Sequence, residues 1–216
     1  MEETLTYICY GLYCVPLTIG LVRFQILSKE QKVLVYYLCF VIANTILAEV
    51  IARKYGNNLL LYHIYTFVEF SFLLYLFRRS MRRISGIVFL VPGILLSVVG
   101  VWGVVTKPFE FPDLFRTVES LVLIGFSVLF FFNALRYLEV KRIERTFPFW
   151  ISGAVLLYFT GNLLLNIFGS YIAETSDKVY YTVWTIHTIF NMILYILYGV
   201  ALLCKDPIPP SSQSSS

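Results

Sequence analysis

Charged residues and histidines are scarce in this 216-residue chain, and their scarcity excludes several kinds of protein. Asp, Glu, Lys and Arg make up 14% of the residues, whereas hydrophobic residues make up 58%. A soluble domain of this size needs far more polar surface to cover its core. His63 and His187 are the only histidines, too few for a three-histidine zinc site, and no HExxH, GxSxG, GxGxxG or P-loop pattern occurs. We therefore expect no catalytic residues, no metal and no cofactor.

Lysine and aspartate are missing from the interiors of the apolar stretches. The last stretch has lysine only at its two ends, Lys178 and Lys205, so a retinal Schiff base has no place to form. Asp113, Asp177 and Asp206 all lie outside the hydrocarbon-length segments, which argues against an intramembrane aspartyl dyad. These absences exclude a rhodopsin-like pigment and an intramembrane aspartyl protease.

Seven apolar stretches fill most of the chain and predict an all-α polytopic membrane bundle. Each is long enough to cross ~30 Å of hydrocarbon at ~1.5 Å rise per residue. The predicted transmembrane spans are 5–23, 33–52, 58–77, 84–105, 116–136, 147–170 and 179–203. They form one domain, 1–205, and the Pro- and Ser-rich tail 206–216 is expected to be disordered and cytoplasmic. We expect a multi-pass protein of the cell membrane, with the lipid bilayer as its main partner.

The basic residues are distributed unevenly between the two sides of the predicted bundle. One side holds 12 of the 17: Arg23, Lys29, Lys32, Arg78, Arg79, Arg82, Arg83, Arg136, Lys141, Arg142, Arg145 and Lys205. The positive-inside rule places this side in the cytoplasm, with the N-terminus outside. Because these residues lie in short juxtamembrane turns, the net charge of +4 indicates orientation and no nucleic-acid partner. The turns RRSMRR (78–83) and VKRIER (140–145) are candidate contacts for anionic lipid or a cytoplasmic signalling partner.

Polar and aromatic side chains recur at helical spacing on three of the predicted helices. Helix seven carries Trp184, His187, Thr188, Asn191, Tyr195 and Tyr198; helix three carries Tyr62, Tyr65, Thr66 and Glu69, with His63 slightly off the stripe; helix six carries Tyr158, Asn162 and Asn166. Lipid cannot satisfy these groups, so the stripes should face one another, together with Asn44 of helix two. The pattern predicts a polar-aromatic pocket in the centre and outer half of the membrane. Interhelical hydrogen bonding alone is the competing explanation for the Asn, Thr and Tyr residues.

Glu69 is set apart by its charge and by its position near the middle of the third predicted span. Ionisable groups at this depth are costly, and they usually mark a ligand site, an ion path or a proton relay. No Lys or Arg is predicted at the same depth, so we expect a neutral carboxyl hydrogen-bonded to His187 or Asn191. A purely structural Glu69 is the alternative. Arg116 and Glu119, placed at the outer end of helix five, are expected to form an interfacial salt bridge.

Two segments resemble an uncharacterised family of bacterial seven-helix integral membrane proteins. They are YHIYTFVEF (Tyr62–Phe70) and WTIHTIFNMILYILYG (Trp184–Gly199), which contain the patterns H-x-Y-T-x-x-E-F and W-x-x-H-x-x-x-N. The resemblance covers the whole seven-helix layout, but only these two segments are specific. It implies that the family's distinctive positions are His63, Tyr65, Thr66, Glu69, Trp184, His187 and Asn191. It implies no activity.

Two classes of function remain open on these residues. In the first, a receptor-like or accessory module binds a small molecule or lipid in an outward-facing pocket and signals through its cytoplasmic turns to a partner. In the second, a small proton-coupled transporter uses Glu69. A faint 122-residue repeat, which aligns Asn44 with Asn166 and Glu69 with Asn191, favours the transporter. The absence of Gly or Pro breaks from helices three and seven favours the receptor-like module.

Overall fold

The computed structural model describes the backbone of residues 2–137, 142–173 and 177–204, and the side chains within 8–136, 142–168, 179 and 182–204. Over these residues the chain forms seven α-helices and no strand, as the sequence predicts. The helices are α1 Glu2–Val22, α2 Lys29–Tyr55, α3 Leu59–Ser80, α4 Ile87–Thr106, α5 Asp113–Tyr137, α6 Phe147–Ala173 and α7 Asp177–Leu203. Short 3-10 turns, Phe24–Ile26 and Ile143–Arg145, precede α2 and α6. The predicted tail, 206–216, lies outside the described residues.

Six of these helices, α2 to α7, are long and apolar enough to cross a membrane. This confirms the prediction of a multi-pass membrane protein. In α1 the described apolar segment, Ile8–Val22, is shorter than the roughly 20 residues that a full crossing needs.

The boundaries of α2 differ from the predicted span because polar caps, not hydropathy, set them. α2 begins four residues earlier than predicted, since Ser28 and Gln31 form a capping box in which each side chain binds the other's backbone N–H. The same helix ends at Gly56, whose φ of 74° lies in the left-handed region where glycine is unstrained. Charged residues such as Lys29 therefore belong to the helix although hydropathy leaves them out.

The helices run alternately in opposite directions, which gives the bundle two distinct ends. At the Gly56 end, which carries the α2–α3 turn and the α4–α5 loop, His63 Nε2 lies 3.2 Å from the carbonyl oxygen of Glu110. At the Arg79 end, which carries the α1–α2 and α3–α4 connections, Arg79 Nε donates to Glu30 Oε1 at 3.0 Å. The first contact joins α3 to the α4–α5 loop, and the second joins the end of α3 to the start of α2.

The half of the bundle towards the Arg79 end is filled by apolar side chains. Leu34, Leu38, Leu73, Leu76 and Phe77 are at most 2% exposed and belong to one continuous core. In contrast, α4 lies at the periphery and buries only two of its residues, Phe89 and Leu96. Its remaining apolar surface suits a helix that faces lipid.

Candidate functional site: a cavity beside a buried ion cluster

A cavity of about 660 Å³ lies in the half of the bundle towards the Gly56 end. It extends from the α2–α3 turn to the middle of α7, and every long helix except α4 contributes to its wall. Its aromatic lining consists of Tyr10, Tyr13, Tyr62, Tyr65, Phe109, Phe111, Tyr158, Trp184 and Tyr195. Its polar lining consists of Asn44, Thr45, Glu49, Asn58, Glu110, Arg116, His187 and Asn191. A volume of this size is typical of small-molecule sites in proteins.

Half of the candidate residues from the sequence line this cavity. Tyr65, Trp184, His187, Asn191 and Asn44 reach it from α3, α7 and α2, so the predicted stripes do face one another. The remaining candidates are buried beside it without lining it: His63, Thr66, Glu69, Asn162 and Asn166. The structure thus separates the candidates into a wall and a supporting layer.

Glu69 of the supporting layer belongs to a fully buried ion cluster with Glu119 and Arg116, and Arg116 also lines the cavity. Arg116 Nη1 lies 2.7 Å from Glu69 Oε2 and 2.9 Å from Glu119 Oε2, and the three side chains are at most 1% exposed. The prediction that no Lys or Arg lies near Glu69 is therefore wrong. The predicted Arg116–Glu119 salt bridge is present, and it is buried inside the bundle.

The hydrogen bonds of Glu69 also differ from the prediction. Tyr65 and Tyr37 donate their hydroxyl protons to Glu69 Oε1 at 3.0 and 3.2 Å, and the two hydroxyl oxygens are 3.1 Å apart. With Arg116 on its other oxygen, Glu69 has three polar partners, none of which is on α7. This carboxylate is therefore anchored by α2, α3 and α5.

The two residues expected to bind Glu69 have other partners. His187 Nδ1 lies 3.0 Å from Asn162 Oδ1, and Asn191 Nδ2 donates to the Tyr13 hydroxyl at 2.9 Å. The prediction that His187 or Asn191 hydrogen-bonds to Glu69 is wrong because α7 faces α1 and α6 here. Both side chains instead orient the aromatic wall of the cavity.

Glu119 is held less completely than Glu69. Its Oε2 accepts from Arg116, but its buried Oε1 has no hydrogen-bond partner among the described residues, and neither has Arg116 Nε. The guanidinium is flanked by aromatic rings, with its carbon 5.6 Å from the Tyr62 ring centre and 5.8 Å from that of Phe159. One guanidinium thus faces two carboxylates, and the second carboxylate is the weaker-held one.

A chain of polar contacts fixes α5 against α6 behind the ion cluster. Asn166 Nδ2 donates to Ser120 Oγ at 2.8 Å, and that hydroxyl donates to the carbonyl oxygen of Arg116 at 2.6 Å. Thr117 Oγ1 donates to the carbonyl oxygen of Asn166 at 3.0 Å, close to Phe168, where α6 departs from helical geometry. For Asn166 the contacts match interhelical hydrogen bonding, the competing explanation for this residue type.

Contacts between aromatic rings set the shape of the cavity wall. The ring centres of Tyr13 and Tyr195 lie 4.2 Å apart, and those of Tyr62 and Phe111 lie 5.1 Å apart. Trp184 meets His187 edge to face at 5.1 Å. Because such pairs restrict ring rotation, the wall presents fixed aromatic faces.

The rim of the cavity at the Gly56 end carries two ion pairs. Lys107 Nζ donates to Glu110 Oε2 at 2.6 Å, and this hydrogen bond raises the pKa of the Lys107 ammonium above its usual range. Arg53 Nε donates to Glu49 Oε1 at 2.8 Å. Glu49 and Glu110 line the cavity while their cationic partners do not, so the charge of each rim carboxylate is compensated from outside the cavity wall.

Sequence reasoning missed Arg116, Glu119, Tyr37 and Tyr13 as parts of the site. Arg116 and Glu119 lie on the same face of α5 as the buried Leu123, a spacing of seven and four residues that was readable from the sequence. The other faces of α5 are apolar too, so the spacing alone does not distinguish the buried face.

The chain was compared with protein-family models, with curated proteins and with solved structures, and none of them matches. The resemblance to a family of bacterial seven-helix proteins therefore stays a prediction.

Proposed function

We propose that this chain is a receptor-like or accessory membrane module that binds a small molecule or lipid in the cavity at the Gly56 end. The observation that carries the proposal is the cavity itself, about 660 Å³ in volume, with fixed aromatic faces and a few polar groups. Sites of this composition bind small ligands, because apolar walls supply affinity and isolated polar groups supply orientation. The fully buried ion cluster beside the wall supplies a rigid support.

The proposal includes seven membrane crossings, with the Gly56 end outside and the Arg79 end in the cytoplasm. The described basic residues at the Arg79 end outnumber those at the Gly56 end, and the positive-inside rule assigns the basic side to the cytoplasm. In this orientation the cavity opens away from the cytoplasm. A ligand would reach it from outside the cell or from the outer leaflet.

The packed core of the apolar half favours ligand binding over ligand transport. Beyond the ion cluster, the bundle interior towards the Arg79 end is occupied by closely packed side chains. Leu38, Leu73 and Tyr198 are examples, and each is fully buried. A ligand that leaves the cavity on that side would have to displace this core, whereas the Gly56 end offers a direct route. Signalling to a cytoplasmic partner then requires a change in helix packing, not transport.

The surface that we propose for the partner is the α3–α4 connection at the Arg79 end. Arg79 is held by Glu30 at 2.9 Å, whereas Arg82 has a 71% exposed side chain and only a 4.0 Å contact with the same carboxylate. A photo-crosslinking residue in place of Arg82 should capture a protein, and the same residue in place of Val98 on the lipid-facing side of α4 should not. Capture of lipid alone at position 82 would contradict a protein partner.

Ligand binding is tested by a thermal-shift screen of small cationic, neutral and anionic fragments against the purified protein. Ala48 lines the cavity, so Ala48→Trp should fill it and abolish the stabilisation by cavity ligands. Ala43, on the exposed side of the same helix, supplies the matched control Ala43→Trp. If no fragment stabilises the wild-type protein in a manner sensitive to Ala48→Trp, the proposed function is wrong.

The orientation is tested by labelling in intact cells with a membrane-impermeant maleimide, in a background without native cysteines. A single cysteine in the 107–112 loop should react, and one at Arg82 should not. The reverse pattern would place the cavity on the cytoplasmic side and refute an outward-facing pocket.

The ion cluster favours a second candidate, a small proton-coupled transporter that uses Glu69. The cluster contains two carboxylates and one guanidinium, so it holds one more buried ionisable group than its charge pairing needs, a feature typical of proton pathways in membrane proteins. Proteoliposomes under a pH gradient should then take up a substrate, with loss of uptake in Glu69→Gln and retention in Glu144→Gln, an exposed position outside the cavity. Uptake that survives Glu69→Gln at a temperature where the variant is folded would remove this candidate.

A further inference from the structure

We infer that the cavity accepts a small organic cation, an amine or a quaternary ammonium group. This inference rests on the proposed function and gives its ligand a chemical class. Six tyrosines, two phenylalanines and one tryptophan line the cavity, so aromatic faces make up much of its wall. Such faces carry negative charge density and attract a cation within about 6 Å of the ring centre.

The protein itself already places a cation against this wall. The Arg116 guanidinium lies over the face of Tyr62, which also lines the cavity, with 5.6 Å between the guanidinium carbon and the ring centre. Tyr62 is in turn stacked on Phe111, which fixes the plane of its ring. One ring of the wall therefore already accepts positive charge against its face.

The charges around the cavity also favour a cationic ligand. Glu49 and Glu110 line the rim, and each is paired with a cation outside the lining. Arg116 is the one Lys or Arg among the lining residues that the structure describes, and its charge is opposed on the same nitrogen by Glu69 and Glu119. The ring faces and the second carboxylate of the ion cluster would therefore disfavour an anion and attract a cation.

Three small molecules of matched shape test the charge preference. Choline carries a trimethylammonium group; 3,3-dimethylbutan-1-ol is its neutral counterpart, and 3,3-dimethylbutanoate is an anionic one. Binding is followed by the fluorescence of Trp184 in a protein with Trp102→Phe and Trp150→Phe, because Trp184 lines the cavity and the other two do not. The detergent is a maltoside, which contains no ammonium group.

We expect choline to bind roughly tenfold more tightly than the neutral alcohol, the preference that a desolvated cation–π site provides. The anion should bind most weakly. Tyr62→Phe keeps the ring face and should retain the preference, whereas Tyr62→Leu should remove most of it. Tyr36→Leu, on an exposed face of α2, is the matched control and should change nothing.

The outcomes separate the ligand class from the function. Saturable binding in which the alcohol or the anion equals choline overturns the cation inference and leaves ligand binding intact. A saturable signal that is specific for lysophosphatidylcholine and absent with choline identifies a lipid headgroup as the source of the cation, which supports the inference. If neither these probes nor any fragment of the thermal-shift screen binds, both the inference and the proposed function are wrong.

Discussion

The two halves of the bundle differ in how their interiors are filled. Towards the Arg79 end, leucine and phenylalanine side chains pack into a continuous core, in which Leu34, Leu38 and Leu73 are 0% exposed. Towards the Gly56 end, the helices enclose a cavity of about 660 Å³ and a buried ion cluster. The same seven helices build both halves, so the difference comes from side chains and not from topology.

This contrast indicates where specificity lies in the molecule. Packing in the apolar half depends on shape, and its contacts are many and individually weak. In the polar half, few contacts are made, but each involves buried groups that are costly to leave unpaired. We therefore expect substitutions in the polar half to have the larger and less uniform effects.

The largest effect is expected from Arg116→Leu, which removes the only cation of the ion cluster. Two buried carboxylates would be left without a counter-charge, and the free energy of unfolding should fall by about 3–5 kcal/mol. Thermal unfolding in detergent, followed by circular dichroism, measures the loss. Arg142→Leu, at an exposed position, is the control; equal melting temperatures for the two variants would show that the cluster does not stabilise the fold.

In the apolar half, Leu73→Ala should lower the free energy of unfolding by about 3 kcal/mol, because it leaves a cavity in a close-packed core. Leu73 is 0% exposed, whereas Leu95 of α4 is 55% exposed and should tolerate the same change. The same unfolding measurement applies. A loss at Leu73 larger than that for Arg116→Leu would reverse the comparison between the halves.

Within the ion cluster, the two carboxylates should not be equivalent. Glu69→Gln weakens bonds to Arg116, Tyr37 and Tyr65, and should lower the free energy of unfolding by about 2 kcal/mol. Glu119→Gln leaves a one-to-one ion pair and should change it by less than about 1 kcal/mol. If chemical unfolding gives the two variants equal losses in the free energy of unfolding, the number of hydrogen bonds that each carboxylate accepts does not set its contribution.

Outside the ion cluster, the smallest effect is expected at the polar boundary of the apolar half. Ser28→Ala removes the capping-box acceptor for the Gln31 N–H, and should lower the free energy of unfolding by about 1 kcal/mol. Ser85, in the exposed α3–α4 connection, provides the control Ser85→Ala. An unchanged melting temperature for Ser28→Ala would assign the start of α2 to tertiary packing alone.

Much of the fold was predictable from the sequence, and the candidate site was predictable in part. The i, i+3, i+4 spacing on α3 and α7 correctly indicated that Tyr65, Trp184 and His187 meet at one interior surface. Spacing within a helix says nothing about which neighbouring helix a side chain faces. For this reason the partners of Glu69 and Asn191 were predicted incorrectly.

The ion cluster shows why depth could not be read by counting from helix ends. Counting placed Arg116 at a membrane surface and Glu69 at the centre. The α4–α5 loop, however, contacts His63 in the second turn of α3, so α5 begins deeper in the bundle than α3 does. That offset, together with the long arginine side chain, brings Arg116 to 2.7 Å from Glu69.

The sequence by itself determined that the chain is an all-helical, multi-pass membrane protein, because long apolar runs have few alternatives to helices in hydrocarbon. It also determined which faces of α3 and α7 are polar. Only the tertiary structure decided the pairing of Arg116 with two glutamates and the position of the cavity. Both depend on the relative depth and rotation of neighbouring helices, which are fixed by contacts between residues far apart in the chain.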